Sequence, residues 1–430
     1  MNLMRRTIGT LIVLLLLLAA GGCSILSGIS TTQPTAQPTT TPPAQIDSPV
    51  TATSTAEPTL LRVWLPPQFD PHSETEAGTI LQKRITQFEK DHPGVRVETR
   101  IKPAAGEASL IASLEATSAA APSALPDLIA LPTSDLEAAA VKGLLEPFDT
   151  LTNILSEKDW YPYATQMAVT EGSTFGLPFG GDTQVLLYRP SLTGPQKGNW
   201  DDIIRQRAPV VFPAGDPNAL FVLSLYHSAG GILQDDAGRP VLDAKTLTAV
   251  YDMMLRGVDH GIFPFWMTEL ATDDAAWRAY SEKRTQLAVT WLSRYLDQMP
   301  SDTSALPIPG IDGKPAVLAT GWMWGLATAD LERQKLAVEL AESLLAPEFL
   351  SQWTPAIHLL PTRPATLAGW DNFSQQNLVK TLAENAQVMP DNGLLASLGP
   401  VLSESTLMVF KGQGTAENIA TAAANQLLEP

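Results

Sequence analysis

The feature that most constrains the fold is an alternation of apolar strands and amphipathic helices across residues 60–143. Leu60–Trp64 reads as a short apolar strand. Glu76–Asp91 reads as a helix, with Ile80, Leu81, Ile85 and Phe88 on one side and Pro93-Gly94 ending it. Val95–Ile101 alternates as a strand and Ala108–Ala121 follows as a helix. Asp127–Leu131 has the unbroken apolar run of a buried strand. Ser134 and Glu137 stand at capping-box spacing, and the helix they would open stops at Gly143. The order βαβαβα predicts an open sheet with crossover helices, an α/β architecture.

Beyond residue 170 the pattern changes. Thr174–Phe179 and Gln184–Tyr188 read as two strands joined across Gly180-Gly181-Asp182-Thr183. Asp216-Pro217 reads as a cap with proline at the first helical position, starting a helix that ends at Gly230-Gly231. Ala244–Arg256, Asp273–Lys283 and Leu331–Leu345 are further helices, and Leu287–Trp291 is a strand. The last third is expected to be helical over Ser374–Asn385, Leu395–Phe410 and Ala416–Leu428.

Ahead of this body stands a different kind of sequence. Arg5 and Arg6 precede an apolar run, Ile8 to Ala20, whose 13 residues are too few to cross a ~30 Å hydrocarbon core. Ala20, Gly21 and Gly22 lead to Cys23, the only cysteine. Residues 1–22 therefore read as a secretory signal peptide. It resembles a bacterial lipoprotein signal, which implies that Cys23 is lipidated and becomes the mature N-terminus. Two or three acyl chains would anchor the protein firmly, whereas one binds reversibly. Residues 30–58 hold nine Thr, six Pro and three Ser, so residues 23–58 read as a lipid-bearing, extended linker. Its threonines are candidates for O-linked glycans, and its full reach is roughly 100 Å.

Charge and motif content exclude several classes. With 28 Lys+Arg against 45 Asp+Glu the chain carries −17, and loss of the leader's two arginines takes it to −19. Such a chain repels phosphate backbones, so nucleic acid is not an expected partner. One cysteine forms neither an internal disulfide nor a thiolate metal cluster. His72, His92, His227, His260 and His358 include no i,i+4 pair, so no metal site is expected. There is no G-x-S-x-G, no Walker A sequence and no G-x-G-x-x-G opening a helix. No cofactor is expected. A glycosidase needs two carboxylates about 5–10 Å apart, which sequence alone neither nominates nor rejects.

Several segments of the body, in order, resemble the extracellular solute-binding proteins of ABC importers, family 1, the maltose- and sugar-binding type. They are Leu61-Arg62-Val63-Trp64 with its following helix, and Pro126-Asp127-Leu128-Ile129. Next come Thr174-Phe175-Gly176-Leu177-Pro178-Phe179, Asp182-Thr183 and Leu186-Leu187-Tyr188-Arg189. Asn199-Trp200-Asp201-Asp202, Ala288–Trp291, Leu306-Pro307-Ile308-Pro309-Gly310 and Thr320–Leu326 complete the series. Tyr188-Arg189-Pro190 departs from the family's usual Tyr-Asn-Lys, and Glu282-Lys283-Arg284 lacks a glycine usual before the returning strand.

The resemblance implies a two-lobed periplasmic-binding-protein-like (type II) fold with a hinge and an interlobe ligand cleft. Lobe I would comprise 59–180 plus 291–325, and lobe II 181–290 plus 326–430. It implies capture of a solute by hinge closure, without chemistry, by a monomer that hands its ligand to ABC permease subunits outside the cytoplasm. A sensor presenting ligand to a signalling receptor would share this fold.

The body carries ten tryptophans, and an indole offers a broad apolar face with one N–H donor. That suits a sugar ring, so a sugar or oligosaccharide is the expected ligand, with a polyamine or quaternary amine as the alternative. Trp291 and Trp322 fall on segments expected to cross between lobes. Trp64 ends the first strand, where open α/β sheets bind ligands. The resemblance points the Trp266 loop and Arg363 towards the cleft. Asp182, beside Thr183, either accepts ligand hydroxyls or bonds its own backbone. Thr133 and Ser134 open a helix after a strand, and either meet ligand or cap the helix. Asp70 follows the first strand as a ligand contact or a loop acid. Trp200, Trp277, Trp353 and Trp370 read as supports.

Overall fold

The structure, a computed structural model, describes residues 58–196 and 198–428. The signal peptide, Cys23 and nearly all of the linker lie outside the described residues.

Ten strands form one sheet, seven of them in a single path and three pairing off it. They are β1 (Thr59–Leu65), β2 (Val95–Ile101), β3 (Leu128–Pro132), β4 (Gly176–Tyr188), β5 (Val210–Val211), β6 (Leu287–Trp291), β7 (Ser304–Pro309), β8 (Pro315–Ala316), β9 (Leu318–Leu326) and β10 (Gln387–Val388). The backbone order is β8-β7-β4-β9-β3-β1-β2. β1 pairs in parallel with β2 along its whole length and with β3 at Val63 and Trp64. These are the strands the opening pattern predicts, close to the expected ends.

β4 differs from expectation. It runs unbroken for 13 residues where the sequence suggests two strands and a loop. Its first half pairs antiparallel with β9, from Gly176 opposite Gly325 to Thr183 opposite Ala319. Its second half changes partners, to β6 from Gln184 opposite Trp291 and to β7 from Val185 opposite Pro307. Gly180-Gly181 reads as a turn, yet here glycine serves close approach. A Cβ on Gly181 would meet the Tyr163 hydroxyl at 2.6 Å, and one on Gly321 would meet the Gly180 carbonyl at 2.4 Å.

Besides three short helices at Pro162–Met167, Pro190–Thr193 and Trp200–Gln206, the helices are α1 (Glu76–Asp91), α2 (Leu110–Ala120), α3 (Thr133–Val141), α4 (Leu220–Ser228), α5 (Ala244–Asp259), α6 (Asp273–Ser281), α7 (Leu292–Gln298), α8 (Leu331–Ser343), α9 (Pro347–Ala356), α10 (Phe373–Asn385), α11 (Asn392–Phe410) and α12 (Ala416–Gln426). Two expected caps fail. α3 is preceded by Pro132 with no side-chain cap, because Glu137 turns to accept the Asn392 backbone N–H at 3.0 Å. α4 starts at Leu220, three residues after Pro217, because Asp216 instead accepts from Asn218 and Leu220 in a turn.

The lobe boundary drawn at 326 also does not follow the packing. α8 and α9 dock on the β1–β3 side: the Arg84 guanidinium donates to the Ser343 carbonyl at 2.6 and 2.8 Å. His92 bonds Glu339, and Arg333 pairs with buried Asp127 at 3.1 Å. Only after residue 357 does the chain cross, so that α10 packs on β7 and β8. Strand patterns do not reveal where a helix docks. α11 is long and apolar enough to cross a membrane by length and composition, but it packs against α4, α5 and α12 and buries Leu398, Leu402 and Val409.

An aromatic cluster locks the first half of the sheet. Trp324 and Trp353 stack 6.4 Å apart at 7°, Phe179 lies 5.2 Å from Trp353, and Phe69 lies 5.3 Å from Phe179. The Trp353 indole N–H donates to the Ala77 carbonyl at 3.2 Å, joining α9 to α1. Trp353→Ala is expected to cost about 3–5 kcal/mol, the range for a fully buried large aromatic. Urea unfolding checks this, and a loss below about 1 kcal/mol would mean that the cluster does not hold the sheet.

Candidate ligand cleft

Where β4 changes partners, a cleft of about 1500 Å³ opens. Its floor is Asp182 on β4; Trp291 at the end of β6 and Trp322 on β9 line it from the two sets of paired strands. Phe69, at the turn after β1, backs Trp322 edge-on at 5.1 Å and 85°. Trp322 thus extends from the aromatic core into the cleft wall. It sits beside a register shift in the β9–β4 pairing, a bulge that re-aims side chains.

Asp182 is held by neutral donors. Its carboxylate accepts from the Ser293 backbone N–H at 3.1 Å, the Ser293 hydroxyl at 2.5 Å and the Thr183 backbone N–H at 2.9 Å. Burial pushes its pKa up to about 7; the Ser293 and Thr183 bonds oppose this, and the charge of Asp273 adds to it. Asp273 is itself raised by burial and faces Arg294, whose Nε lies 2.7 Å away. On the opposite side His358 is lowered by burial, against the pull of Asp297 and Glu76.

The structure brings together Asp182, Trp291 and Trp322 of the sequence candidates and places the others apart. Thr183 is fully buried, its hydroxyl donating to the Leu318 carbonyl at 2.9 Å. Trp64 is 2% exposed, with the Lys102 ammonium 4.4 Å from its ring centre. Arg363 is 3% exposed; it donates to the Leu345 carbonyl, pairs with Glu157 and Asp159, and lies over Trp160. Trp266 is covered by the Arg284 guanidinium at 3.8 Å. Asp70 bonds the His72 backbone N–H in a turn at 2.8 Å. The Thr133 hydroxyl is exchanged with the Gly321 backbone, both bonds 3.1 Å. Ser134 is exposed and its carbonyl accepts from the Asn392 side chain. None of these seven residues lines the cleft.

Sequence reasoning missed Ser293 and the acids Glu76, Asp297 and Asp371, all of which line the cleft. Ser293 follows Trp291 by two residues at the start of α7, a signal visible as strand end, Trp, then helix. Trp370, read as a support, is 5% exposed and also lines the cleft.

A family model described as bacterial extracellular solute-binding protein matches residues 72–348, and the chain belongs to that family. Among curated proteins nothing matches. Solved structures share the two-lobed fold. The GacH receptor of Streptomyces glaucescens, solved unliganded and with acarbose, is 18% identical over 86% of this chain and 99% of its own, with a TM-score of 0.63. The cyclic α-maltosyl-1,6-maltose binding protein of Arthrobacter globiformis is 14% identical over 86% and 98%, with a TM-score of 0.71. The maltodextrin binding protein MalE1 of L. casei is 15% identical over 87% and 100%, with a TM-score of 0.69.

The raised pKa of Asp182 has a definite sign. Between about pH 4 and 7 the folded chain keeps a proton that the unfolded chain releases, so this group's contribution to stability falls as pH rises and levels off above. Asp182→Asn cannot ionise. Its melting temperature relative to the parent is expected to climb from pH 4 to 7 and then stay constant. A difference that does not vary over that interval would show that Asp182 titrates in the ordinary range.

Proposed function

We propose that this solute-binding protein captures a sugar or oligosaccharide in the cleft and delivers it to an ABC importer from an extracytoplasmic lipid anchor at Cys23. The observation that carries the ligand class is the pair Trp291 and Trp322, lining one cleft on either side of Asp182. Indole faces cover the C–H face of a sugar ring, and a carboxylate accepts its hydroxyls. Structural neighbours that bind maltose, maltodextrins or acarbose support the same class.

Three chain segments pass the cleft floor: β4, β9 and the stretch around Leu360, which exchanges backbone hydrogen bonds with Gly181 at 2.6 and 2.8 Å. They form the natural hinge. A ligand that touches both sides only when the cleft is shut favours the closed form by its differential affinity, and permease subunits would read that shape.

Maltotriose or a longer maltodextrin is expected to raise the melting temperature by mass action. Trp291→Ala and Trp322→Ala should each weaken binding at least tenfold, about 1.4 kcal/mol, by calorimetry. X-ray scattering should show a smaller radius of gyration with ligand. If no oligosaccharide shifts the melting temperature, the carbohydrate reading fails; if ligand is consumed, the protein is an enzyme.

A further inference from the structure

The charge lining the cleft is one-sided. Four carboxylates, Glu76, Asp182, Asp297 and Asp371, face one guanidinium, Arg294, and one imidazole, His358; no lysine lines the cleft. Arg294 is already engaged, with Nε 2.7 Å from Asp273 and a terminal nitrogen on Asp274. Burial holds His358 below its ordinary value, against the pull of Asp297, 3.7 Å away, and of Glu76. Among the described residues no lysine or arginine lies within ion-pair distance of Glu76, Asp182 or Asp371. The donors on Asp182 are the neutral groups of Ser293 and Thr183.

Closure over a neutral sugar would strip water from these carboxylates and return only hydroxyl donors. An ionised group removed from water without a countercharge is costly, and a ligand cation supplies that charge. The ring faces of Trp291 and Trp322 attract the same cation.

We propose that the ligand is a carbohydrate bearing a protonated amine, an amino sugar or amine-substituted oligosaccharide, with the ammonium at Asp182. This rests on the sugar-binding reading above and narrows it. The ammonium completes the ion pair that Asp182 lacks in the free protein.

The test is calorimetric titration of the mature chain at pH 7 with a matched pair, maltotriose and its 6-amino-6-deoxy derivative, and with spermidine. The amine derivative is expected to bind at least tenfold more tightly than maltotriose. Raising salt from 0.05 to 0.5 M should reduce that advantage, as charge attraction is screened. In Asp182→Asn the two sugars should bind within twofold of one another. Asp371→Asn, altered at an exposed cleft carboxylate, reads the same advantage if Asp182→Asn does not fold, and should lower it about threefold. Equal or tighter binding of maltotriose overturns the amine inference while leaving sugar capture intact. Binding of spermidine alone overturns the carbohydrate reading and the inference built on it, and binding of none of the three overturns both.

Discussion

The cleft exists because one strand, β4, changes partners halfway without breaking. A loop at residues 180–183 would let the two sides swing freely and leave Asp182 on a flexible tip. A continuous strand, interrupted only by the register shift around Phe179, keeps its pairing while its neighbours change from β9 to β6 and β7. The exchange requires backbones to approach closely. Gly180, Gly181 and Gly321 supply that room, and Tyr163 fills what remains, its hydroxyl donating to the Pro361 carbonyl at 2.8 Å. Thr183, fully buried just past the glycines, pins β4 to the first residue of β9. A hinge at this point would bend at the few residues where partners change, with paired strands on either side.

The aromatic cluster behind β9 gives that stiffness a direction. Phe69 touches both Phe179 in the core and Trp322 in the cleft wall. Trp322 is consequently positioned by packing that also holds Trp324 and Trp353. Were a ligand to stack on a wall supported in this way, little reordering would be needed, which lowers the cost of association.

The sequence made the strand–helix alternation legible because hydrophobic periodicity is local. α1 and β2 fall where their patterns end, and β6 likewise. The family signature located Asp182, Trp291 and Trp322 because each sits on a strand whose order identifies a crossing. What failed was non-local. Gly-Gly-Asp-Thr has the composition of a turn, and only the pairing of β4 with β9 shows it to be strand. Arg363 has the look of a ligand clamp until Glu157, Asp159 and Trp160, some 200 residues earlier, are seen around it. Trp64 stands near the end of its strand, but it is buried, with Lys102 over its ring. Ser134 and Glu137 have capping-box spacing, but the N-terminus of α11 competes for the carboxylate and wins.

Asp182 joins these threads. Its bonds to Ser293 link β4 to the start of α7, so the carboxylate is oriented before any ligand arrives. Desolvation then works against the group that orientation favours, and pushes its pKa to about 7. Asparagine could accept the two backbone N–H bonds through its one oxygen without a charge, but its NH2 could not accept the Ser293 hydroxyl. Retaining an ionisable group at the crossover, between two tryptophans and facing open volume, makes sense where its charge is completed from outside. The bonds to Ser293 fix its position during folding, and the remaining electrostatic deficit is available to a ligand that brings a positive group between the two halves. Closure and charge neutralisation would then occur at the same point on the same strand.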